Sequence, residues 1–403
     1  MALSQGLLAA LDAASPAARL EFLQALADRF GPDPKAVGPA LTRATKNPDD
    51  TDAIEALHVA AEPRRQELLR RLNLSRGGTA ALIRLREELL RHLRDTPSLR
   101  RVDADFSHLF GSWFNRGFLS LRHIDWSTPA NILEKIIRYE AVHAIQSWDD
   151  LRNRLQPTDR RCYGFFHPQL ADEPLIFVEV ALTDHIPGEV ASLLDLTRQP
   201  IDADQASTAV FYSISNTQRG LAGVSFGNFL IKQVVEELKA ELPNIKTFVT
   251  LSPVPGFAAW LADQRAAGDQ GLLPADLRDS LTALDQPGWH GDPDRAEALR
   301  APFMAAAAIY FLRARDRKGR AVDPVARFHL GNGARLERLN YLGDISPNGM
   351  KQSHGLMVNY LYDLDRIEAN HEAFAERGIT AAAGQVERLL PPAAPNSAVP
   401  ATS

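Results

Sequence analysis

Cysteine is nearly absent: Cys162 is the single one among 403 residues. No intrachain disulfide framework can form, and this usage fits a reducing compartment. Excess charge is also missing. A formal net charge of -5 gives no electrostatic reason to expect a nucleic-acid partner. No run approaches the ~20 apolar residues of a membrane span, so no membrane partner is expected. The opening MALSQGLLAALDAASPAARL lacks the basic region and long apolar core of a signal peptide, and the closing Pro-Ala-Thr-Ser is no recognisable address. The expected location is therefore cytoplasmic. The 11 histidines show no His-x-x-x-His spacing, and no carboxylate cluster accompanies them, so no metal is expected. Gly-x-Ser-x-Gly does not occur, which argues against an α/β-hydrolase. No internal repeat is visible.

What is present is an ordinary soluble composition, 45% hydrophobic and 24% charged. Residues 1–155 read as helices. Leu20, Leu23, Leu26 and Phe30 recur at helical spacing, as do Leu82, Leu85, Leu89 and Leu93. Gly77-Gly78 marks one helix junction, and Ser127-Thr128-Pro129 opens another helix. Phe110, Trp113, Phe114 and Phe118 are bulky anchors for a core or a seam between subunits. The composition changes near Gln156-Pro157. Pro174–Leu182 is a continuous β-rich run, and Ala209–Ser215 and Thr247–Leu251 are further strands. An amphipathic helix carrying Phe226, Phe229, Leu230, Val234 and Leu238 lies between the last two. This unit predicts a mixed α/β sheet. Leu261–Phe303 reads as irregular helices, and Ala305–Arg315 and Ile367–Arg377 as regular ones. Val325–Leu330, Arg335–Leu342 and Leu356–Asp363 read as extended. The proline- and alanine-rich tail, 391–403, is expected to be disordered. The expected domains are thus 1–155, 156–390 and this tail.

Candidate chemistry gathers on the strand–loop–helix–strand from Phe211 to Phe257. Gly220, Gly223 and Gly227 precede a helix, where backbone N–H groups can approach a phosphate unobstructed and the helix dipole favours an anion. Ser252 follows a strand and precedes Pro253, which suits a turn or helix cap as well as a reactive hydroxyl. His329 stands between apolar neighbours before Gly331-Asn332-Gly333, as a core histidine or as an acid or base.

In order, FYSISNTQRGL, GVSFGNFLIKQVV, LSPVPGF, FHLGNGA and SHGLMVNYLYDL strongly resemble the malonyl-CoA decarboxylase family. RGGTAALIRLREELLR and WFNRGFLSLRHIDW extend the likeness into the helical half. The resemblance implies an α-helical N-terminal bundle used in oligomer contacts. It also implies a GNAT-like C-terminal acyl-CoA-binding domain, α/β (α+β) with a mixed sheet. It places the catalytic pair at Ser252 and His329, and the phosphate loop at Ala222, Gly223, Val224, Ser225, Phe226, Gly227 and Asn228. Ser213 and Tyr362 fall on polar positions lining the same site. The implied reaction takes malonyl-CoA to acetyl-CoA and CO2, with a homo-oligomer, dimer or tetramer, as the working form. Some members carry intersubunit cysteines and a peroxisomal ending; with one cysteine and no such ending, neither is carried over.

That chemistry suits these residue types. Loss of CO2 leaves an electron pair that the thioester carbonyl accepts as an enolate, so no cofactor is expected. Neutral hydroxyls hold the departing carboxylate without favouring its ground state as a lysine or arginine would. A histidine with an ordinary pKa near ~6.5 suits proton delivery. A GNAT-type acyltransferase, a non-catalytic CoA sensor and a thioesterase using Ser252 and His329 are the competing readings.

Overall fold

The first helices are built by local signals that the chain repeats. Ser15 accepts a hydrogen bond from the Ala18 N–H, with Pro16 in the first turn. Asp33 caps the Lys35 N–H, with Pro34 following. Asp50 receives the N–H groups of Asp52 and Ala53. Each satisfies donors that a helix N-terminus leaves open. The computed structural model describes residues 2–224 and 230–391. Ser225, Phe226, Gly227 and Asn228, and the tail from residue 392, lie outside the described residues.

By its internal packing the chain forms two compact units. The first comprises residues 1–120, 165–176 and 216–227. Its helices are α1 (Ala2–Ala13), α2 (Pro16–Arg29), α3 (Pro34–Lys46), α4 (Thr51–Ala61), α5 (Arg64–Asn73), α6 (Gly78–His92) and α7 (Arg100–Trp113). Leu23, Leu26, Leu69, Leu72, Leu82, Leu89, Phe106 and Phe110 are fully buried; the helical spacing predicts Leu23, Leu26, Leu82 and Leu89, whereas Phe30, read in the same series, is exposed at the end of α2. Arg65 pairs with Asp105 beneath this surface. Arg86 is buried among Asp103, the Ser107 hydroxyl and the carbonyl of Gly220, each at 2.8 or 2.9 Å.

The second unit comprises residues 121–164, 177–215 and 228–403. Its sheet runs β1 (Ser120–His123), β2 (Arg160–Phe166), β3 (Pro174–Thr183), β4 (Thr208–Asn216), β5 (Thr247–Thr250), β8 (Met357–Leu361) and β6 (Ser252–Pro253), with β7 (Arg335–Asn340) also on β8. The sheet is mixed. β5 runs parallel to β4 and antiparallel to β8. The helices are α8 (Ala130–Tyr139), α9 (Trp148–Leu155), α10 (Ala191–Leu194), α11 (Leu230–Glu241), α12 (Phe257–Ala266), α13 (Ala275–Ser280), α14 (Pro293–Leu312), α15 (Pro324–Gly331), α16 (Pro347–Ser353), α17 (Ile367–Arg377) and α18 (Gly384–Glu387). A helical N-terminal region followed by a mixed-sheet C-terminal domain is the architecture expected. No helix among the described residues is long and apolar enough to cross a membrane.

Two local expectations change. Val325–Leu330 is helical, not extended: Asp323 accepts the Ala326 N–H at 2.7 Å, and Pro324 opens α15. That cap outweighs the β-branched look of the segment. Leu261–Phe303 is more regular than read, since α14 begins at Pro293 under an Asp292 cap.

One register matters for the site. β4 pairs with β5 from Thr208 to Phe211, and Leu251 N–H reaches the Phe211 carbonyl at 3.0 Å. β4 continues to Asn216. Ser213 and Ser215 therefore project beyond the end of β5, on the same face as Phe211.

Candidate functional site: a buried Ser–His–Tyr chain

Thr250 and Ser252 are two residues apart on extended chain, so they share a face. β8 runs opposite, with Ser252 against Val358 and Val249 against Leu361. The same register sets Tyr360 across from Thr250. His329 comes from α15 and stacks on the Tyr360 ring, centroids 4.6 Å apart at 24°. His329 Nε2 lies 3.1 Å from Ser252 Oγ. Its Nδ1 lies 2.8 Å from the Tyr362 hydroxyl. Ser252 Oγ donates to Thr250 Oγ1 at 2.9 Å, and the Tyr360 N–H donates to that same oxygen at 3.1 Å. Thr250, Ser252, His329, Tyr360 and Tyr362 are all buried.

The structure thus brings Ser252, His329 and Tyr362 together from three separated segments. Ser252 lies on β6 and caps nothing: α12 starts after Gly256, with no side-chain cap. His329 sits on a helix, and burial pulls its pKa down to about 3. No carboxylate supports the ring, because its second nitrogen meets a phenol. The ordinary value near ~6.5 expected from sequence therefore does not hold, since desolvation disfavours the imidazolium. Burial likewise raises the Tyr362 pKa. The chain is a set of neutral groups.

Ser213 faces a different partner. Its hydroxyl donates to the Glu140 carboxylate at 2.8 Å, and Ser215 donates at 3.1 Å. Glu140 also accepts the N–H groups of Val142 and His143, each at 2.8 Å. It is buried, and its partners among the described residues are these hydroxyl and backbone N–H groups. A cavity of about 610 Å³ in the second unit is bordered by Glu140, His143, Val190, Leu342 and Asp344.

The glycine loop lies in the first unit. Gly220 has a structural duty: a Cβ there would fall 2.0 Å from the Ile83 carbonyl oxygen. Gly223 differs. Its φ is +73°, and among the described residues nothing lies within 4 Å of where a Cβ would stand. Ala222 is exposed and Val224 buried, while Ser225, Phe226, Gly227 and Asn228 fall outside the described residues.

Sequence reasoning passed over Thr250, Tyr360 and Glu140. The first two were within reach, because Thr250–Leu251–Ser252 and Tyr360–Leu361–Tyr362 each place two polar groups on one strand face. Glu140 carries no local signal; it lies 73 residues from the serine it holds. No group of three or more metal-ligating side chains occurs among the described residues.

A helical N-terminal region is followed by a mixed-sheet α/β domain that holds a buried, uncharged serine–histidine–tyrosine chain. The model of the malonyl-CoA decarboxylase C-terminal domain matches residues 117–399, and that of the N-terminal domain matches residues 30–114. The crystal structure of malonyl-CoA decarboxylase from Rhodopseudomonas palustris is 63% identical, with a TM-score of 0.91 over 96% of this chain and 94% of its own. That from Agrobacterium vitis is 55% identical, with a TM-score of 0.91 over 97% and 95%. The mitochondrial malonyl-CoA decarboxylase of Anser anser anser is 35% identical over 387 residues, 88% of this chain and 76% of that protein. The chain belongs to the malonyl-CoA decarboxylase family, and by family it is a carboxy-lyase.

Proposed function

We propose that the chain converts malonyl-CoA to acetyl-CoA and CO2 through a thioester enolate, with Ser252 and His329 handling carboxylate positioning and proton transfer. The observation that carries this reading is the neutral, buried hydrogen-bonded chain Ser252–His329–Tyr362. Decarboxylation breaks the bond between the carboxylate carbon and Cα. The electron pair moves into the thioester as an enolate, CO2 departs, and Cα then takes one proton. A thioester enolate is a far stronger base than a phenolate, so an imidazole N–H or a hydroxyl suffices as donor without any positive charge. His329, with its pKa near 3, is such a donor. Ser252, bonded to no cation among the described residues, can hold the carboxylate without stabilising its ground state by ion pairing.

A thioesterase fits less well. A nucleophilic serine needs a histidine that can carry the proton as imidazolium, usually beside a carboxylate. Here the second ring nitrogen faces Tyr362. An acyltransferase would need a second substrate, so malonyl-CoA alone discriminates.

The same reading makes Ala222–Asn228 the cradle for the CoA phosphates. In chain order β4, the glycine loop, α11 and β5, which runs parallel to β4, give the strand–loop–helix–strand sequence that suits a phosphate loop. Gly223, left-handed and unobstructed, supports it. The test is CO2 release from malonyl-CoA by purified Ser252→Ala and His329→Ala. Each is expected to lose about 10²–10⁴ in kcat while keeping its fold by circular dichroism. A folded variant within a few-fold of wild type removes that residue from the mechanism.

A further inference from the structure

We propose that Thr250 is a positioning residue that sets the direction of the hydrogen-bond chain, so that His329 holds its proton on Nε2, facing Ser252. This rests on the decarboxylase reading for its meaning, but not for its measurement. A hydroxyl has a single proton. Ser252 gives its own to Thr250 Oγ1, 2.9 Å away, until a bound carboxylate accepts it instead; in both cases it is spent away from the ring. Toward His329 Nε2, at 3.1 Å, Ser252 can then only accept. Nε2 must therefore carry the hydrogen, because a bare ring nitrogen facing a lone pair is no bond at all. Nδ1 is then unprotonated and accepts from the Tyr362 hydroxyl at 2.8 Å. Each bond in the chain has one donor and one acceptor.

Thr250 is held for this task. It is fully buried on the last residue of β5. Its carbonyl receives Asn359 Nδ2 at 2.7 Å, and its Oγ1 receives the Tyr360 N–H at 3.1 Å. Asn359 is itself held by Asn340 at 2.8 Å and by Arg338 at 3.1 Å. The threonine oxygen is thus fixed from the backbone side.

Two consequences follow from this direction. The donor needed after CO2 departs already points along the Ser252 side of the ring. Ser252 also cannot be deprotonated by His329, because Nε2 is occupied. The pair is set for delivering a proton and set against nucleophilic attack on the thioester.

The experiment is 15N NMR of the full-length enzyme with labelled histidine, the His329 signals being identified by their loss in His329→Gln. Wild type is expected to show an Nε2–H, Nδ1-bare ring. Thr250→Val removes the acceptor at nearly constant shape and is expected to lose that single tautomer. Its kcat should fall about tenfold with KM unchanged within twofold. Thr250→Ser restores the oxygen and should restore both. An Nδ1–H ring in wild type overturns the proposal, even if Thr250→Val fails to fold. So does a folded Thr250→Val with the wild-type tautomer and kcat. Neither result touches the proposed reaction, which falls only if wild type releases no CO2 from malonyl-CoA.

Discussion

At the residue scale, the properties of His329 come from its surroundings. The same side chain in water is half protonated near pH ~6.5; here burial holds it neutral, with a pKa of about 3. Stacking on Tyr360 fixes the ring plane, and Tyr362 fixes one edge. Tyr362→Phe removes that edge at nearly constant shape. It should lower kcat about tenfold or more with little change in KM, because the ring loses the bond that fixes its Nδ1 edge while substrate contacts elsewhere remain. Burying an unpaired Nδ1 should also cost about 1–3 kcal/mol of stability. Steady-state kinetics with urea unfolding checks both; a Tyr362→Phe enzyme with wild-type kcat shows that Nδ1 needs no donor. The sequence motif marked His329 and Ser252 as candidates, yet nothing local to either could reveal the missing charge. That depended on which atoms surround the ring.

At the scale of elements, two glycines of one loop have separate duties. Gly220 allows close approach of Arg219–Leu221 to α6, where a Cβ would strike the Ile83 carbonyl. Gly220→Ala should lose about 1–3 kcal/mol of stability through overpacking, read as a lowered Tm. Among the described residues Gly223 meets no neighbour, but its φ of +73° strains any L residue by about 1–2 kcal/mol. Gly223→Val should therefore raise KM for malonyl-CoA more than it lowers Tm. An unchanged KM would remove this loop from the CoA reading. Sequence counted three glycines before a helix as one phosphate signal; only packing separates a contact glycine from a turn glycine. The strands from Pro174 to Leu251 were legible because their apolar runs are continuous. α15 was misread because Val325 and Phe328 look β-like, although Asp323-Pro324 already held the capping signal.

At the scale of the molecule, buried titratable groups set the pH response. His329 and His143 have pKa values lowered by burial, to about 3 and about 4. Each is protonated more readily in the unfolded chain. Their contribution is fully present above the unfolded value near ~6.5 and is lost as pH falls toward 3–4. Glu179, fully buried, has its pKa raised chiefly by desolvation. That is the opposite sign: its unfolded form releases its proton first, so it weakens the fold as pH rises past the usual carboxylate range. Urea midpoints should accordingly fall from pH 6.5 to 4.5. Over pH 6–9, kcat should show no step near 6.5; a step there would mean that His329 titrates as a solvent-exposed ring.

The sequence by itself determined the order and type of the principal elements, the positions of Ser252 and His329, and the family. These reside in periodicity, capping residues and local motifs, which survive without coordinates. Only the tertiary structure decided that Tyr362, already expected near the site, bonds the His329 ring at Nδ1, that Thr250 receives the Ser252 proton, and that Ser213 serves Glu140. It alone decided that burial holds His329 uncharged. Those properties depend on distances of about 3 Å between residues far apart in the chain, and on the exclusion of water from the space between them.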